Sequence, residues 1–350
     1  MSNMNIGTPK IYPDLCNYRM STGTAQNLNF DVISGTDLIS TFTQGSESEL
    51  FDLKPMNQCS WDTSSTSAKR ADHVLVNMDT GGGFNVDYIA ILNHNFNSSE
   101  AKIRIGHSAT ESNVNNVDLT GSTAPSNMTE VVNGDTINTD VVIPGTDGST
   151  IVSFDQTSNR YWGIQIEGAT GASTLATTGT FSTSNDVQFS IAMFGEAYSL
   201  PHSPNMGVIR TITYDGVNVQ ESIGGQKYSN SSHLGRNFVS SMNQSPFSKA
   251  STSYYQYSGR MKYDMKFSYL ASADVMPNEY HTYQPTDDSF VGDVWNKTNG
   301  SHIPFILSLD NSSEGSDAES EHIFARFNQN TLDMTQVAHQ YWDVGMSIVE

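Results

Sequence analysis

Apolar and polar residues alternate with a period of two along much of this chain, and that alternation restricts it to half-buried β-strands. "RMKYDMKFSYL" places Met261, Tyr263, Met265, Phe267 and Tyr269 on one face, with Arg260, Lys262, Asp264, Lys266 and Ser268 on the other. "YWGIQIE" groups Trp162, Ile164 and Ile166, "VQFSIAMF" groups Val187, Phe189, Ile191 and Met193, and "YWDVGMSIVE" groups Trp342, Val344, Met346 and Ile348. "KIRIGHS" alternates Ile103 and Ile105 with Lys102 and Arg104. One stretch departs from this rule. In "VDYIAIL", Val86, Tyr88, Ala90 and Leu92 form one face, and Ile89 and Ile91 make the other face apolar too. Such a strand belongs in the middle of a sandwich or beneath a covering layer.

Between the strands run polar, glycine-rich intervals, 106–149 and 168–186. The best helix signal is "PTDDSFVGDVWNKTNG", with an apolar stripe of Phe290, Val291, Val294 and Trp295, Thr286 or Asp287 as its cap, and Asn299-Gly300 as its end. No repeat of fixed period is present. "SLPHSPN", residues 199–205, follows a strong strand with two prolines and reads as a linker, dividing the chain near residue 200. The expected fold class is mainly β: an antiparallel β-sandwich followed by a second β-rich domain with a short helix.

Acids dominate the charge: 37 Asp and Glu against 17 Lys and Arg, a formal net charge of −20 over 350 residues. That field repels phosphate backbones and anionic lipids, so neither nucleic acid nor membrane is an expected partner. Aromatic residues make up 10% of the chain, enough to argue for a folded core. Cys16 and Cys59 are too few for a disulfide framework and lack zinc-site spacing. Two buried free thiols are expected, with a single bridge as the alternative. "MSNMNIGTPKIYPD" has neither a basic nor an apolar signal region, and no run approaches the 18 or so apolar residues of a membrane span. Synthesis in the cytoplasm is expected.

Motifs of catalysis are missing. The sequence has no G-x-x-x-x-G-K-[ST], H-E-x-x-H, C-x-x-C or G-x-S-x-G. "DTGGG" at 79–83 leads into a strand, without the helix N-terminus that binds phosphate. The acids of "DGSTIVSFD" and "PTDDSF" do not follow a calcium loop and read as turn residues. N-x-[ST] triplets at Asn97, Asn127 and Asn296 arise by chance in a chain so rich in these residues. Tyr254, Tyr255 and Tyr257 suit a sugar ring, a neighbouring subunit or a simple hairpin flank equally. No catalytic residue, metal ligand or cofactor is expected. A glycan hydrolase needs only two carboxylates, which spacing does not reveal, and is the third functional reading.

His94, between Asn93 and Asn95 at the exit of the doubly apolar strand, reads as architecture: its ring bonds loop backbone and the amides pin the turn. The order of Trp61, Asp79, Leu92-Asn93-His94-Asn95, Arg160-Tyr161-Trp162 and Phe194-Gly195 resembles the discoidin-like (galactose-binding-like) jelly roll of phage virion proteins. The resemblance covers roughly residues 50–200 and implies a structural part for the His-Asn element. In the C-terminal half, "GVIRTITYDGVNVQESIGGQKYSNSS", "HIPFILSLD" and the closing "YWDVGMSIVE" resemble phage tail proteins of the distal-tail and baseplate kind, over roughly 207–350.

Together these imply an N-terminal arm and lead-in at 1–49, a discoidin-like sandwich at 50–200 and a β-rich assembly domain at 201–350. The implied function is a structural or adaptor component of a phage virion, in the tail tip or baseplate. Its partners would be other virion proteins and further copies of itself in a symmetric homo-oligomer. Trp61, His94, Asn95, Trp162 and Trp342 are the expected structural and assembly residues. The alternatives are a carbohydrate-binding module recognising a host surface glycan, and a capsid decoration protein. Burying Trp342, Val344, Met346 and Ile348 is worth roughly 6–12 kcal/mol gross, comparable with a domain's net stability. Deleting residues 340–350 is therefore expected to abolish soluble folding or incorporation into particles, as checked by thermal unfolding of the truncated chain and by its presence in assembled particles.

Overall fold

The computed structural model describes residues 6–21, 28–55, 57–134, 136–138, 140–171, 179–213, 217–231, 247, 260–281, 288–312 and 321–350. Two antiparallel sheets face each other in the N-terminal half. One runs Leu28–Val32, Val74–Thr80, Tyr161–Gly168, Ala101–Ser108, Val141–Ile143, Thr136–Asn138; the other runs Ile191–Gly195, Val86–His94, Gly148–Thr157, Thr129–Val132. Val74, Val76, Met78, Ile103, Ile105, Trp162, Ile164 and Ile166 from the first meet Ile89, Ile91, Val152 and Phe194 from the second. A small sheet of Val187–Phe189, Cys59–Trp61 and Phe42–Gln44 adds Trp61 and Phe189 to the same core. This is a mainly β protein built on an antiparallel β-sandwich.

The doubly apolar strand extends over Val86–His94, hydrogen-bonded on both sides by Ile191–Gly195 and Gly148–Thr157. Ile89 and Ile91 fill the sandwich, while Tyr88, Ala90 and Leu92 pack against Tyr12, Ile303 and Ile306 in a second core. Val86 joins the sandwich side, because a register shift opposite Ser153–Thr157 turns it away from Tyr88. The covering layer is thus the other half of the chain. It is an eight-stranded sheet ordered Tyr198–Ser199, Lys10–Pro13, Phe305–Ser308, His322–Phe327, Tyr341–Val349, Arg260–Ala271, Ile209–Thr213, with Met334–Ala338 also on Tyr341–Val349.

Residues 10–13, inside the segment expected as a lead-in, are a strand of that sheet, paired with Ile306 and Tyr198 neighbours. The junction is closed by Tyr88 Oη, which donates to the Pro13 carbonyl at 2.7 Å, and by the edge-on contact of the Tyr12 and Tyr88 rings at 5.0 Å. Lys297, nearly buried, bridges Glu196 (3.1 Å) and Asp293 (2.9 Å) along the same seam. Residues 199–205, expected as a linker, are tied at both ends: Leu200 N–H donates to the Pro9 carbonyl and Asn205 N–H to that of Lys266.

Four expectations about faces and elements are corrected. Ser190 breaks "VQFSIAMF" into two strands: its hydroxyl donates to the Pro55 carbonyl, and Val187 and Phe189 enter the sandwich while Ile191 and Met193 enter the second core. Tyr269 is exposed, with φ +62°, because a bulge between Phe267 and Leu270 inserts a residue and Leu270 takes the buried position. The interval 106–149 contains three short strands, Thr129–Val132, Thr136–Asn138 and Val141–Ile143, besides its loops. Lys102 and Arg104, expected on a solvent face, are buried, for a reason that the register supplies.

Gly106 and Gly163 stand opposite each other on the outer face of the six-stranded sheet. A Cβ at Gly163 would come within 2.6 Å of Leu119, and one at Gly106 within 2.3 Å of Ser122. This flat strip lets residues 114–122 lie on the sheet, with Leu119 and Val114 packed on Leu75. Asp118 N–H of the loop donates to Gln165 (2.8 Å), and on the same face the buried charges are matched: Glu167 accepts from Lys102 (3.1 Å) and Arg104 (2.8 Å), Asp140 from Arg104 (2.8 Å), and Gln165 donates to Glu167 (2.8 Å).

The expected helix forms as a π-turn over Phe290–Trp295 followed by Asn296–Thr298. Its cap is Ser289, whose hydroxyl accepts from Gly292 N–H at 3.2 Å; Thr286 and Asp287 lie outside the described residues. It ends where expected, on Asn299 and Gly300 with positive φ. The terminal strand Tyr341–Val349 is inside its sheet, with Val344, Met346 and Ile348 buried and Trp342 half-buried. Removing only the seam hydroxyl, Tyr88→Phe, is expected to cost about 1 kcal/mol of stability, read as a lower urea midpoint at unchanged slope.

Candidate functional site

Three of the five expected residues meet at one end of the sandwich. The Trp61 ring stacks on Phe189 (5.1 Å), Phe189 meets Phe96 edge-on (5.8 Å), and Phe96 stacks on His94 (4.4 Å, 13° between planes). Asn95 completes the end by imitating a strand. Its side-chain oxygen accepts from Gln188 N–H (2.8 Å), its amide donates to the Asp186 carbonyl (2.7 Å), and its own N–H donates to the Gln188 carbonyl (3.1 Å). Asn93, with φ +52°, donates to the Pro55 carbonyl at 2.6 Å.

Within this end His94 is fully enclosed. Its Nδ1 accepts from Phe96 N–H at 3.2 Å, which places the proton on Nε2, 2.8 Å from the Thr150 hydroxyl. That hydroxyl donates onward to the Asn133 carbonyl at 3.2 Å. The partners are therefore a loop N–H and a strand hydroxyl, and not the flanking amides. Burial pushes the His94 pKa down to about 3, so the ring is neutral. A neutral imidazole beside a hydroxyl has the parts of a base and nucleophile, but both groups lie out of reach of any substrate.

Trp162 sits apart, among His107 (5.0 Å), Phe154 (5.6 Å) and Phe194 (6.4 Å), with its indole N–H donating to the Asn159 carbonyl. Trp342 is in the other half and donates to the Ser272 hydroxyl at 2.9 Å. None of the five forms an open site; they set the frame from which surfaces project.

Other candidate chemistry is committed to structure. Asp79 holds the Arg160 guanidinium by two bonds of 2.6 and 2.7 Å and accepts from Gly81 N–H, so the glycine turn is tied down. That guanidinium lies 4.9 Å from the Tyr161 ring centre, and Asn159 is 2.6 Å from His107 Nδ1, giving a polar shelf beside the turn. Asp147 sits in a bend, as expected of a turn residue, and accepts from Ser98 N–H; Asp155, expected in a turn, lies instead in the strand Gly148–Thr157 and accepts from the Asn127 amide. Among the described residues no three His, Cys, Asp or Glu side chains gather as a metal site, and no helix is long and apolar enough to cross a membrane. Cys16 and Cys59 are free and buried; burial raises both thiols, Cys59 to about 12.

Exposed apolar side chains gather elsewhere. Of the ten large hydrophobic residues exposed in the described structure, six fall between 206 and 228: Met206, Ile209, Ile212, Val219, Ile223 and Tyr228. Ile209–Thr213 is the last described strand of the eight-stranded sheet, and Val217–Glu221 with Lys227–Ser231 forms a two-stranded ribbon that pairs with no other described strand. Residues 218–230 are exposed throughout. The turn is held by Gly225, with φ +79°, its N–H donating to the Ser222 carbonyl. The hairpin signal was present in the sequence, as the alternating run Val217–Glu221 followed by the turn glycines Gly224-Gly225. The missing signal was exposure, which alternation alone assigns to one face and not two. The Tyr254, Tyr255 and Tyr257 cluster lies outside the described residues.

His94 fixes a sign for acid sensitivity. The unfolded ring gains a proton near pH 6.5 and the folded ring only near 3. Its contribution is complete above pH 6.5 and is lost as pH falls towards 3. Asp14 and Asp87, raised by burial from 3.8 to about 6, act oppositely: their contribution is present below 3.8 and lost as pH rises through 6. The His94 ring protons are expected to show no titration between about pH 8 and 5 by NMR, and His94→Ala to cost about 3–5 kcal/mol in denaturant unfolding. A midpoint near the ordinary histidine value would contradict the enclosed ring.

No family model and no curated protein matches this chain. Among solved structures it is similar to a chitosan-binding module of a chitosanase/glucanase from Paenibacillus sp. IK-5, at 10% identity and a TM-score of 0.28, over 48% of this chain and 93% of the module. It is also similar to the paired CBM32-1 and CBM32-2 domains of Clostridium perfringens ZmpB, at 11% identity and a TM-score of 0.25, over 54% of this chain and 40% of that one. A truncated AlyQ with CBM32 and alginate lyase domains aligns at 11% identity and a TM-score of 0.27, over 92% of this chain and 99% of that chain.

Proposed function

We propose that this chain is a structural assembly component that works through protein–protein contacts of its C-terminal half. The observation that carries this reading is the concentration of exposed apolar side chains between Met206 and Tyr228, a stretch that holds the outer strand and most of the ribbon. Single exposed hydrophobes are ordinary, but a cluster of six within 23 residues marks an interaction surface. A two-stranded ribbon exposed on both faces is marginal in water and gains stability from a partner. The same stretch is an electrically neutral island, Arg210 and Lys227 balancing Asp215 and Glu221, in a chain of net charge −20. Neutrality there removes the repulsion that the rest of the surface presents to other acidic proteins.

The finer setting is a phage virion, in the tail tip or baseplate, with other virion proteins as partners; it rests on the sequence resemblance of residues 50–200 and 207–350. Glycan binding is the second reading. It is favoured by the polar shelf of Asp79, Arg160, Tyr161 and Asn159 at a loop end of the sandwich, where a discoidin-like module would meet a host sugar.

Replacing residues 218–230 by a short Gly-Asn turn is expected to leave the melting temperature within about 2 °C, because all of these residues are exposed among the described residues, and to abolish incorporation into particles. Immunogold labelling of particles in electron micrographs reads the second effect. Unchanged incorporation, or absence of the intact chain from particles together with glycan-array binding that is lost in Arg160→Ala, would overturn the assembly reading in favour of the second.

A further inference from the structure

Open sheet edges are ready to pair with other chains, and proteins usually guard them. The edges of this molecule are guarded almost everywhere. Tyr198–Ser199, Thr136–Asn138 and Phe42–Gln44 are only two or three residues long. Leu28–Val32 carries Asp31, Thr129–Val132 carries Glu130, and the ribbon strands carry Glu221 and Lys227. Met334–Ala338 is interrupted by a register shift, Val187–Phe189 is bonded by Asn95, and Ile191–Gly195 is wholly buried beside helix Leu15–Ser21.

Ile209–Thr213 has only one of these devices, a single charge. It is five residues long, pairs in unbroken register with Arg260–Asp264, and has no described strand on its other side. Its composition, Ile-Arg-Thr-Ile-Thr, is β-branched at four of five positions, which is a pairing composition. Its one charge is drawn back over its own sheet: the Arg210 guanidinium donates to Met261 Sδ at 2.9 Å and lies 5.5 Å from the Tyr263 ring centre. Ile209 and Ile212 are half exposed.

We propose that this edge pairs antiparallel with the same edge of a second copy of the chain, across a two-fold axis at Thr211; the proposal rests on the assembly reading above. The strand is complementary to itself in that register. Thr211 faces its own counterpart, Ile209 faces Thr213, and Arg210 faces Ile212, so no like charges meet and β-branched residues fill the outer face. The neutral stretch 206–231 keeps the acidic bodies from repelling at the contact. A five-residue edge with two isoleucines is smaller than the roughly 800 Å² per partner of a standard interface, which sets the expected association in the micromolar range.

Sedimentation of the full chain at micromolar concentration is expected to show a monomer–dimer equilibrium. Ile212→Lys sets a lysine against Arg210 of the second copy, twice by symmetry, and is expected to weaken self-association about tenfold or more. The double variant Arg210→Glu with Ile212→Lys restores complementarity and is expected to recover the dimer, with circular dichroism verifying that each variant is folded. Thr211→Cys places two thiols with Cα atoms about 5 Å apart, within disulfide reach, and is expected to cross-link under mild oxidation. Asn230→Cys on the ribbon is the negative control. A chain that stays monomeric, or one that dimerises with no Thr211→Cys cross-link and no response to Ile212→Lys, would overturn the proposal. A monomer that still enters particles through its ribbon defeats the pairing alone, whereas a cross-linked dimer that particles never contain defeats the assembly setting alone.

Discussion

One strand with no polar face governs this architecture. Val86–His94 is bonded on both edges and packed on both faces, so neither half of the chain satisfies it alone. The sandwich takes Ile89 and Ile91; the sheet built from residues 10–13, 198–199 and 305–308 takes Tyr88, Ala90 and Leu92. Apolar surface of that extent, left in water, would cost several kcal/mol, a large share of a domain's net stability. The two halves are therefore joined through a core, and the chain's early residues are committed to the far sheet. His94 follows from this. At the end of a strand with no solvent side, an imidazole has to be neutral and to find its partners in Phe96 and Thr150.

A second constraint acts on the opposite side of the sandwich. Lys102, Arg104, Gln165 and Glu167 occupy a face that the paired glycines Gly106 and Gly163 allow a loop to cover. Enclosed charges are tolerable only when matched, and Glu167 is met by two cations and an amide. Losing one partner would strand the others, so this cluster holds the covering loop in one position at the expense of tolerance to change. Both faces of the sandwich thus carry covered regions, the core shared with the C-terminal sheet on one side and the loop over Gly106 and Gly163 on the other. Among the described residues, exposed apolar side chains gather instead on the outer strand of the C-terminal sheet and on the ribbon.

Much of the fold was legible. Period two identified the strands of Tyr161–Gly168, Ala101–Ser108, Arg260–Ala271 and Tyr341–Val349, and the doubly apolar run announced a covering layer without saying what it was. The helix stripe and its Asn-Gly stop were readable as well. Trp61, His94 and Asn95 converge at one end of the sandwich, while Trp162 and Trp342 remain in separate environments. The ribbon showed its hairpin signal but not its exposure. Faces failed wherever the chain broke its own period: at Ser190, which splits one apparent strand between two cores, and at the bulge that sends Tyr269 outward and Leu270 in.

By itself the sequence determined the mainly β class, the acid-dominated surface and the places where strands must lie, because these depend on side-chain type at neighbouring positions. Tertiary structure alone decided that Lys102 and Arg104 are enclosed, that residues 10–13 belong to the far sheet, and that Ile209–Thr213 is the last described strand of its sheet. Each of these depends on pairing between segments tens to hundreds of residues apart. Local periodicity says which way a side chain points relative to its own strand; only the partner strands and the loops above them say whether that direction is water.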